Sequence, residues 1–426
     1  MVSDARRTFA KAGWRLIPFM MLLYVGNFLD RVNVGFAALS MNKDLGIGAE
    51  AFGFAGGIFF LGYFFFEVPS NVILEKVGAR LWIFRIMLTW GVVSMATAFV
   101  QGLPSLLALR FLLGVAEAGF FPGIIFYLGL WFPSAVRARF VGLFLCSISL
   151  ANIIGAPLSG YILGLNGIAG LHGWQWLFLL EGVPSIVLAA TVLLWLPNGP
   201  DDARWMSADE KAIIKAQLAG EPPHKHSDLW PMLRDPRVWA LAIPDFGIVL
   251  STYGLGLWLP QIVKGMGFSN LGTGFAVAAV YVLSSVVSVL WCLSSDRANE
   301  RLRHVSAAAL LGASGLFVAA FTQGSIVCVF GLAVGMAGTL AAISVFWALP
   351  SGFLGSTAAA GGIALINSLA NLGGFAGPYL MGWLKGWSGG YTIGLYVLGA
   401  GLMMTAVMIQ IVGRTLESSV RSVVAA

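Results

Sequence analysis

Charge is what this 426-residue chain has least of. Asp, Glu, Lys and Arg make up 10% of it, against 58% hydrophobic residues, and its mean hydropathy is +0.86. A soluble domain carries roughly 25% charged residues, so a soluble fold is excluded and a lipid bilayer is the natural solvent. Cysteine is nearly absent. Cys146, Cys292 and Cys328 each fall in an apolar run, without the spacing of a disulfide framework or a thiolate metal site. There are four histidines, of which His224 and His226 sit in a polar stretch and read as solvated linker residues. No nucleophile–base set and no cluster of metal ligands stands out, so neither an enzyme nor a bound cofactor or metal is expected. The net charge of +6 could suggest a nucleic-acid partner. The basic residues form no patch, however, and are scattered over alternate loops, which fits the positive-inside rule better.

What the chain does have is long apolar runs. A spanning helix needs about 20 mostly apolar residues, and such runs lie near 16–38, 52–74, 82–100, 105–131, 139–163 and 174–196. A second set lies near 238–261, 272–293, 304–322, 326–349, 358–383 and 390–412. Arg6, Arg7, Lys11 and Arg15 precede the first run, which is too long for a signal peptide's apolar region and reads as an uncleaved first span. With twelve spans, twenty of the twenty-five Lys and Arg fall on the side of the N-terminus, and only Lys43, Lys264 and Lys385 fall opposite. An error of one span would scramble that split. Both termini are therefore expected in the cytoplasm, with the chain in the inner (plasma) membrane. The polar stretch 197–237 is expected to link an N-terminal bundle, 1–196, to a C-terminal bundle, 238–426. Within it, Ser207 and Glu210 have the spacing of a capping box that opens a short helix, and Pro222 and Pro223 would end that helix.

The two halves repeat one another. The string SLAN stands at 149–152 and again at 368–371, in the fifth and eleventh spans, and each copy is followed by a Gly/Pro-rich stretch. The loop EKVGAR at 75–80 has its counterpart in DRANER at 296–301. The fold expected is all-α, with twelve transmembrane helices in two pseudo-symmetric six-helix bundles. Transporters built this way bind substrate near the midplane of the membrane.

The EKVGAR loop resembles that of the major facilitator superfamily, where an acidic–basic–x–Gly–x–Arg pattern joins the second and third spans. Further strings narrow the resemblance to its anion:cation symporter family. They are DRVN (30–33), FEVPSN (66–71), EAGFFPG (117–123), LWFP (130–133), FLLEG (178–182), WLPQ (258–261), SSDR (294–297) and AAGGIALINSLANLGGFAGP (359–378). Within that family, the stretch from EAGFFPG to WFP looks most like bacterial tartrate- and phthalate-type permeases.

Charges inside spans mark function by default, since each costs at least about 2.5–3.5 kcal/mol at mid-bilayer. Here they are Asp30, Arg31, Glu67, Arg110, Glu117, Glu181 and Asp245. Arg110 and Glu117 are two helical turns apart and share a face, with Gly114 between them. Asp30 and Arg31 are adjacent and point about 100° apart. The expectation is that Arg110 reaches both Asp30 and Glu117 and leaves Arg31 for a substrate carboxylate, which its planar fork suits. The alternative is a purely structural ion cluster. The family resemblance implies proton coupling by Asp30 and Glu117 and anion binding by Arg31. Glu67 reads as gating or structural near the inner end of the second span. Glu75, Arg80, Asp296 and Arg297 of the loop motifs read as gating. Glu181 is expected to hold the sixth span against the loops, and Asp245 has no assigned role.

The resemblance also implies substrate contacts by Tyr63, Gln261, Trp347 and Asn367, with Ser344 as a further candidate. Phe28 stands where sugar-acid permeases of the family tend to carry Tyr. That favours small dicarboxylates or aromatic acids over long sugar acids. The function expected is proton-coupled uptake of a small organic anion by a monomer. An anion exchanger or exporter on the same fold is the alternative, followed by a membrane sensor or enzyme.

Overall fold

The computed structural model describes residues 2–220, 232, 234–350 and 355–424. It is all-α, with no strand among those residues. In hydrocarbon every backbone N–H and C=O must be satisfied within its own segment, which leaves the helix as the solution for apolar runs of this length. The first six spans are α1 (Val2–Asp44), α2 (Ala49–Val77), α3 (Ala79–Ala96), the pair α4 (Leu103–Glu117) and α5 (Phe120–Gly129), α6 (Ser134–Ile162) and α7 (Gly173–Trp195). The short α8 (Ala208–Leu218) follows. Then come α9 (Pro236–Lys264), α10 (Asn270–Ala298), α11 (Leu302–Phe321), α12 (Ile326–Phe346), α13 (Gly355–Ser388) and α14 (Thr392–Val424). Eleven stretches of the described residues are long and apolar enough to cross a membrane. The 34-residue α13 stands where the eleventh of twelve spans is expected.

Two features depart from the plain span pattern. Helix α1 runs over 43 residues and continues well beyond the apolar run at its N-terminal end. The fourth span is broken. Ala118 leaves the helical region and Gly119 takes φ +87°, so α4 stops directly after Glu117. A side chain at Gly119 would be strained by that φ and would also run into Ser70. The signal was present in Gly119 and Pro122, and the continuous apolar pattern overrode it.

Contacts divide the chain into two compact units. One comprises Met1–Asn33, Leu61–Gly155 and Leu165–Lys225; the other comprises Val34–Phe60, Ala156–Gly164 and His226–Ala426. In the second unit, glycines let backbones meet. A Cβ on Gly373 would lie 2.6 Å from the Phe246 carbonyl oxygen, and one on Gly254 would lie 3.2 Å from the carbonyl carbon of Gly377. Helices α9 and α13 pack through these positions. Small residues at such seams are the usual way membrane helices associate, since lipid is as apolar as Leu.

The polar stretch behaves as the capping-box pattern requires. Ser207 accepts from the Glu210 N–H, and the Glu210 carboxylate accepts from the Ser207 N–H. Lys11 of α1 ties this helix back with a 2.8 Å ion pair to Glu210. The stop at Pro222 and Pro223, with His224 and His226, lies outside the described residues.

Candidate functional site

The site is built in the first unit from helices α1, α2, α3, α4 and α7. Asp30 is fully buried and accepts three hydrogen bonds. Ser94 of α3 donates at 2.6 Å, Ser185 of α7 at 2.8 Å and the Trp90 indole of α3 at 3.0 Å. None of the donors is a cation. Sequence reasoning passed over Trp90, Ser94 and Ser185; the available signal was hydroxyl side chains in otherwise apolar spans, which have to find partners there. The Trp90 ring packs edge-on against Phe120, 5.0 Å away, so the first residue after the helix break braces one of the donors to Asp30.

Arg31 is not left open. Its guanidinium donates to a single oxygen of Glu117, at 2.6 Å through a terminal nitrogen and 3.3 Å through Nε. The side chain of Glu117 is fully buried and that of Arg31 is 11% exposed. The expectation that Arg110 bridges Asp30 and Glu117 is therefore corrected. The reason lies in the break of the fourth span: Glu117 is the last residue of α4, next to the turn at Gly119, and Arg31 takes it. Arg110, two turns earlier on the same helix, is buried within the electric field of both Glu117 and Arg31. The second Glu117 oxygen is buried with no hydrogen-bond partner among the described residues.

Aromatic rings lie close to the Arg31 cation. Phe28 lies 5.5 Å and Tyr63 5.6 Å from its guanidinium carbon, distances at which a ring face attracts a cation. Glu67, one turn along α2 from Tyr63, is also buried and within the field of Arg31. That places Glu67 with the ion cluster, in addition to its position near the end of the span.

The other sequence-selected residues are placed as follows. In the first turn of α3, the Arg80 N–H donates to Asn198 at 3.2 Å and its guanidinium donates to the Leu193 carbonyl. Glu75 is exposed. Asp296 pairs with Arg301 at 2.6 Å, and its chain neighbour Arg297 is exposed. In the second unit, Trp258 is fully buried and donates to the Pro378 carbonyl at 3.1 Å. The Gln261 amide nitrogen is buried with no partner among the described residues. The Ser344 hydroxyl is engaged by its own helix, with a 2.7 Å bond to the Leu340 carbonyl, and lies 3.0 Å from Ser288. Trp347 caps α12, and Asn367 sits half-buried in α13. Glu181 is buried in α7. Asp245, in the middle of α9, is fully buried with no hydrogen-bond partner for either oxygen among the described residues.

The comparisons agree with this architecture. Residues 20–378 match the Major Facilitator Superfamily. The chain belongs to that family. This transporter is 46% identical to a protein from Agrobacterium vitis named "Putative tartrate transporter", across 98% of its own length and 93% of the relative's. It is 42% identical to the "Quinolone resistance transporter" of Acinetobacter baumannii, across 95% and 94% of the two chains. Among solved structures, it shares its fold with a bacterial homologue of the human lysosomal transporter Spinster. The TM-score is 0.76 at 16% identity, covering 94% of this chain and 96% of that one. The motif-based resemblance to the superfamily is thereby borne out, and the transporter is not an enzyme.

Proposed function

We propose that this transporter is an anion:cation symporter that takes up a small carboxylate together with protons across the inner membrane, with both termini in the cytoplasm. The observation that carries the reading is the Arg31–Glu117 ion pair. Glu117 occupies the Nε edge of the Arg31 guanidinium, a planar fork that suits a substrate carboxylate equally well. A substrate carboxylate and Glu117 therefore compete for Arg31. Protonating Glu117 removes its claim and frees the fork, so that proton and anion load together. Deprotonation restores the pair and expels the anion. Asp30, buried among neutral donors beside Glu117, is the second proton carrier, and Arg110 supplies the compensating positive charge.

Phe28 and Tyr63 beside Arg31 form an apolar frame with one hydroxyl, suited to a small dicarboxylate or an aromatic acid. The name of the Agrobacterium vitis relative supports a dicarboxylate as the first candidate. The same reading assigns Gln261, Trp347 and Asn367 of the second unit to substrate contact, and Glu75, Arg80, Asp296 and Arg297 to gating.

The test is a thermal-shift screen of the purified protein against carboxylic acids, tartrate among them. It is followed by uptake in proteoliposomes under an imposed pH gradient. Stabilisation by an acid and gradient-driven accumulation of it support the reading. Accumulation that ignores the gradient contradicts it. A second reading, export, is favoured by the name of the Acinetobacter baumannii relative. Inside-out vesicles loading a quinolone at the expense of the gradient would support export over uptake.

A further inference from the structure

A groove of about 710 Å³ opens on the first unit, away from the ion cluster. Lys11 and Arg15 give it charge, and Phe19, Leu22, Trp195 and Trp205 supply its apolar floor and wall. The Arg15 guanidinium carbon lies 5.5 Å from the Trp195 ring and 5.4 Å from the Trp205 ring. Among the described residues Arg15 makes no hydrogen bond and no ion pair. Stacking on ring faces leaves the in-plane N–H donors of a guanidinium open, and their fork matches phosphate oxygens. Apolar exposure here is large: Trp14 is 83% exposed, Trp195 61% and Leu22 51%. Arg15 and Leu22 are seven residues apart on one helix, about 10 Å along its axis. That is the depth from a headgroup to the upper acyl chains, where Trp residues collect.

We infer that this groove is a binding site for an anionic phospholipid of the leaflet on the side of the N-terminus. Arg15 holds the phosphate, and Lys11 stands beside it. Lys11 is already paired with Glu210, so Arg15 is the main anchor. One acyl chain lies along Phe19 and Leu22 and covers the exposed Trp195 face. The choice of a lipid over a soluble anion rests on the apolar floor and wall, which a soluble phosphate would leave bare. Occupancy bridges the start of α1, the end of α7 and the segment leading to α8. It would thereby fasten the polar stretch to the membrane surface.

The test is native mass spectrometry of the full chain released from mild detergent, titrated with dioleoyl phosphatidylglycerol or dioleoyl phosphatidylcholine. The parent should retain phosphatidylglycerol in preference to phosphatidylcholine. One basic side chain near a membrane surface contributes enough for Arg15→Gln to weaken that retention about fivefold. Arg15→Lys should keep more of the preference than Arg15→Gln. Glycerol phosphate at millimolar concentration should not displace the lipid, because it lacks the chains that cover the floor. Equal retention of the two lipids by the parent, unchanged retention by Arg15→Gln, or displacement by glycerol phosphate would overturn the proposal. If Arg15→Gln fails to fold, the lipid preference and the competition measured on the parent decide the matter by themselves.

Discussion

In the first unit, Asp30, Arg31, Glu67, Arg110 and Glu117 lie inside the spanning helices, each in the field of at least one other of the set. In the second unit, Asp245 sits in the middle of α9 with neither oxygen hydrogen-bonded among the described residues. Lys385, near the end of α13, rests against Tyr391 and Trp258. Both units bury an acid completely. What separates them is company. A carboxylate opposite a guanidinium can exchange that partner for a substrate, whereas a buried carboxyl without a hydrogen-bond partner has nothing to exchange. On the proposed reading, burial of an acid does not by itself mark the transport machinery; a partner that can be competed away does.

The comparison would break first at Glu117 and Asp30. Glu117→Gln and Asp30→Asn are each expected to abolish pH-gradient-driven accumulation in proteoliposomes, while Glu117→Gln keeps exchange of labelled substrate between two filled pools. Neutral side chains mimic the loaded state and cannot release a proton. Full accumulation by both variants would remove the coupling role from the first unit. Loss of exchange as well in both would leave a structural ion cluster.

Arg31→Lys comes next. Lysine keeps the charge and loses the two-pronged geometry, and bonds of this charged kind contribute about 1.5–3 kcal/mol. A weakening of acid binding by about ten- to a hundredfold is expected in thermal-shift titrations, with folding near normal. Binding equal to the parent's would place the carboxylate elsewhere.

Gly119→Ala probes the break that delivers Glu117 to Arg31. A side chain at φ +87° beside Ser70 should cost about 1–3 kcal/mol, seen as a lower unfolding temperature in detergent. An unchanged temperature would mean that the turn relaxes freely.

Asp245→Asn sharpens the contrast from the other side. Accumulation within about twofold of the parent is expected, since neither Asp245 oxygen has a hydrogen-bond partner among the described residues for the substitution to remove. Loss of coupling would give the second unit an acid that works alone.

The smallest effect belongs to Lys11 and Glu210. The hydrogen bond from Lys11 holds the Glu210 carboxyl below the usual carboxylate range. A depressed folded-state value contributes stability that is present above the unfolded-state value and fades as the pH falls through the folded one. The pair is exposed, so Lys11→Gln should cost no more than about 1 kcal/mol at neutral pH. The difference from the parent should vanish in acid. A difference that grows in acid would show the sign to be wrong.

Much of the fold was legible because hydrocarbon imposes one rule on every span. The twelve-span pattern, the Ser207–Glu210 cap and the superfamily all follow from apolar run length, capping chemistry and loop motifs. The membership of the ion cluster was legible too, since Asp30, Arg31, Arg110 and Glu117 are costly where they stand. The pairing within it was not. Helical spacing placed Arg110 and Glu117 on one face, but partner choice depended on the turn at Gly119 and on three neutral donors from α3 and α7. Those donors are distant in sequence and ordinary in type. The groove beneath Arg15 was equally hidden, because it joins residues from α1, the end of α7 and the segment before α8.

The central claim is that a substrate carboxylate and Glu117 compete for Arg31. Its most direct test is the affinity of the tightest-binding acid from the screen, measured by titration across neutral and mildly acidic pH in the parent and in Glu117→Gln. The account predicts that the parent's affinity strengthens as the pH falls, and that the variant binds with a markedly flatter pH dependence at an affinity near the parent's acidic limit. The same pH slope in both proteins would contradict it.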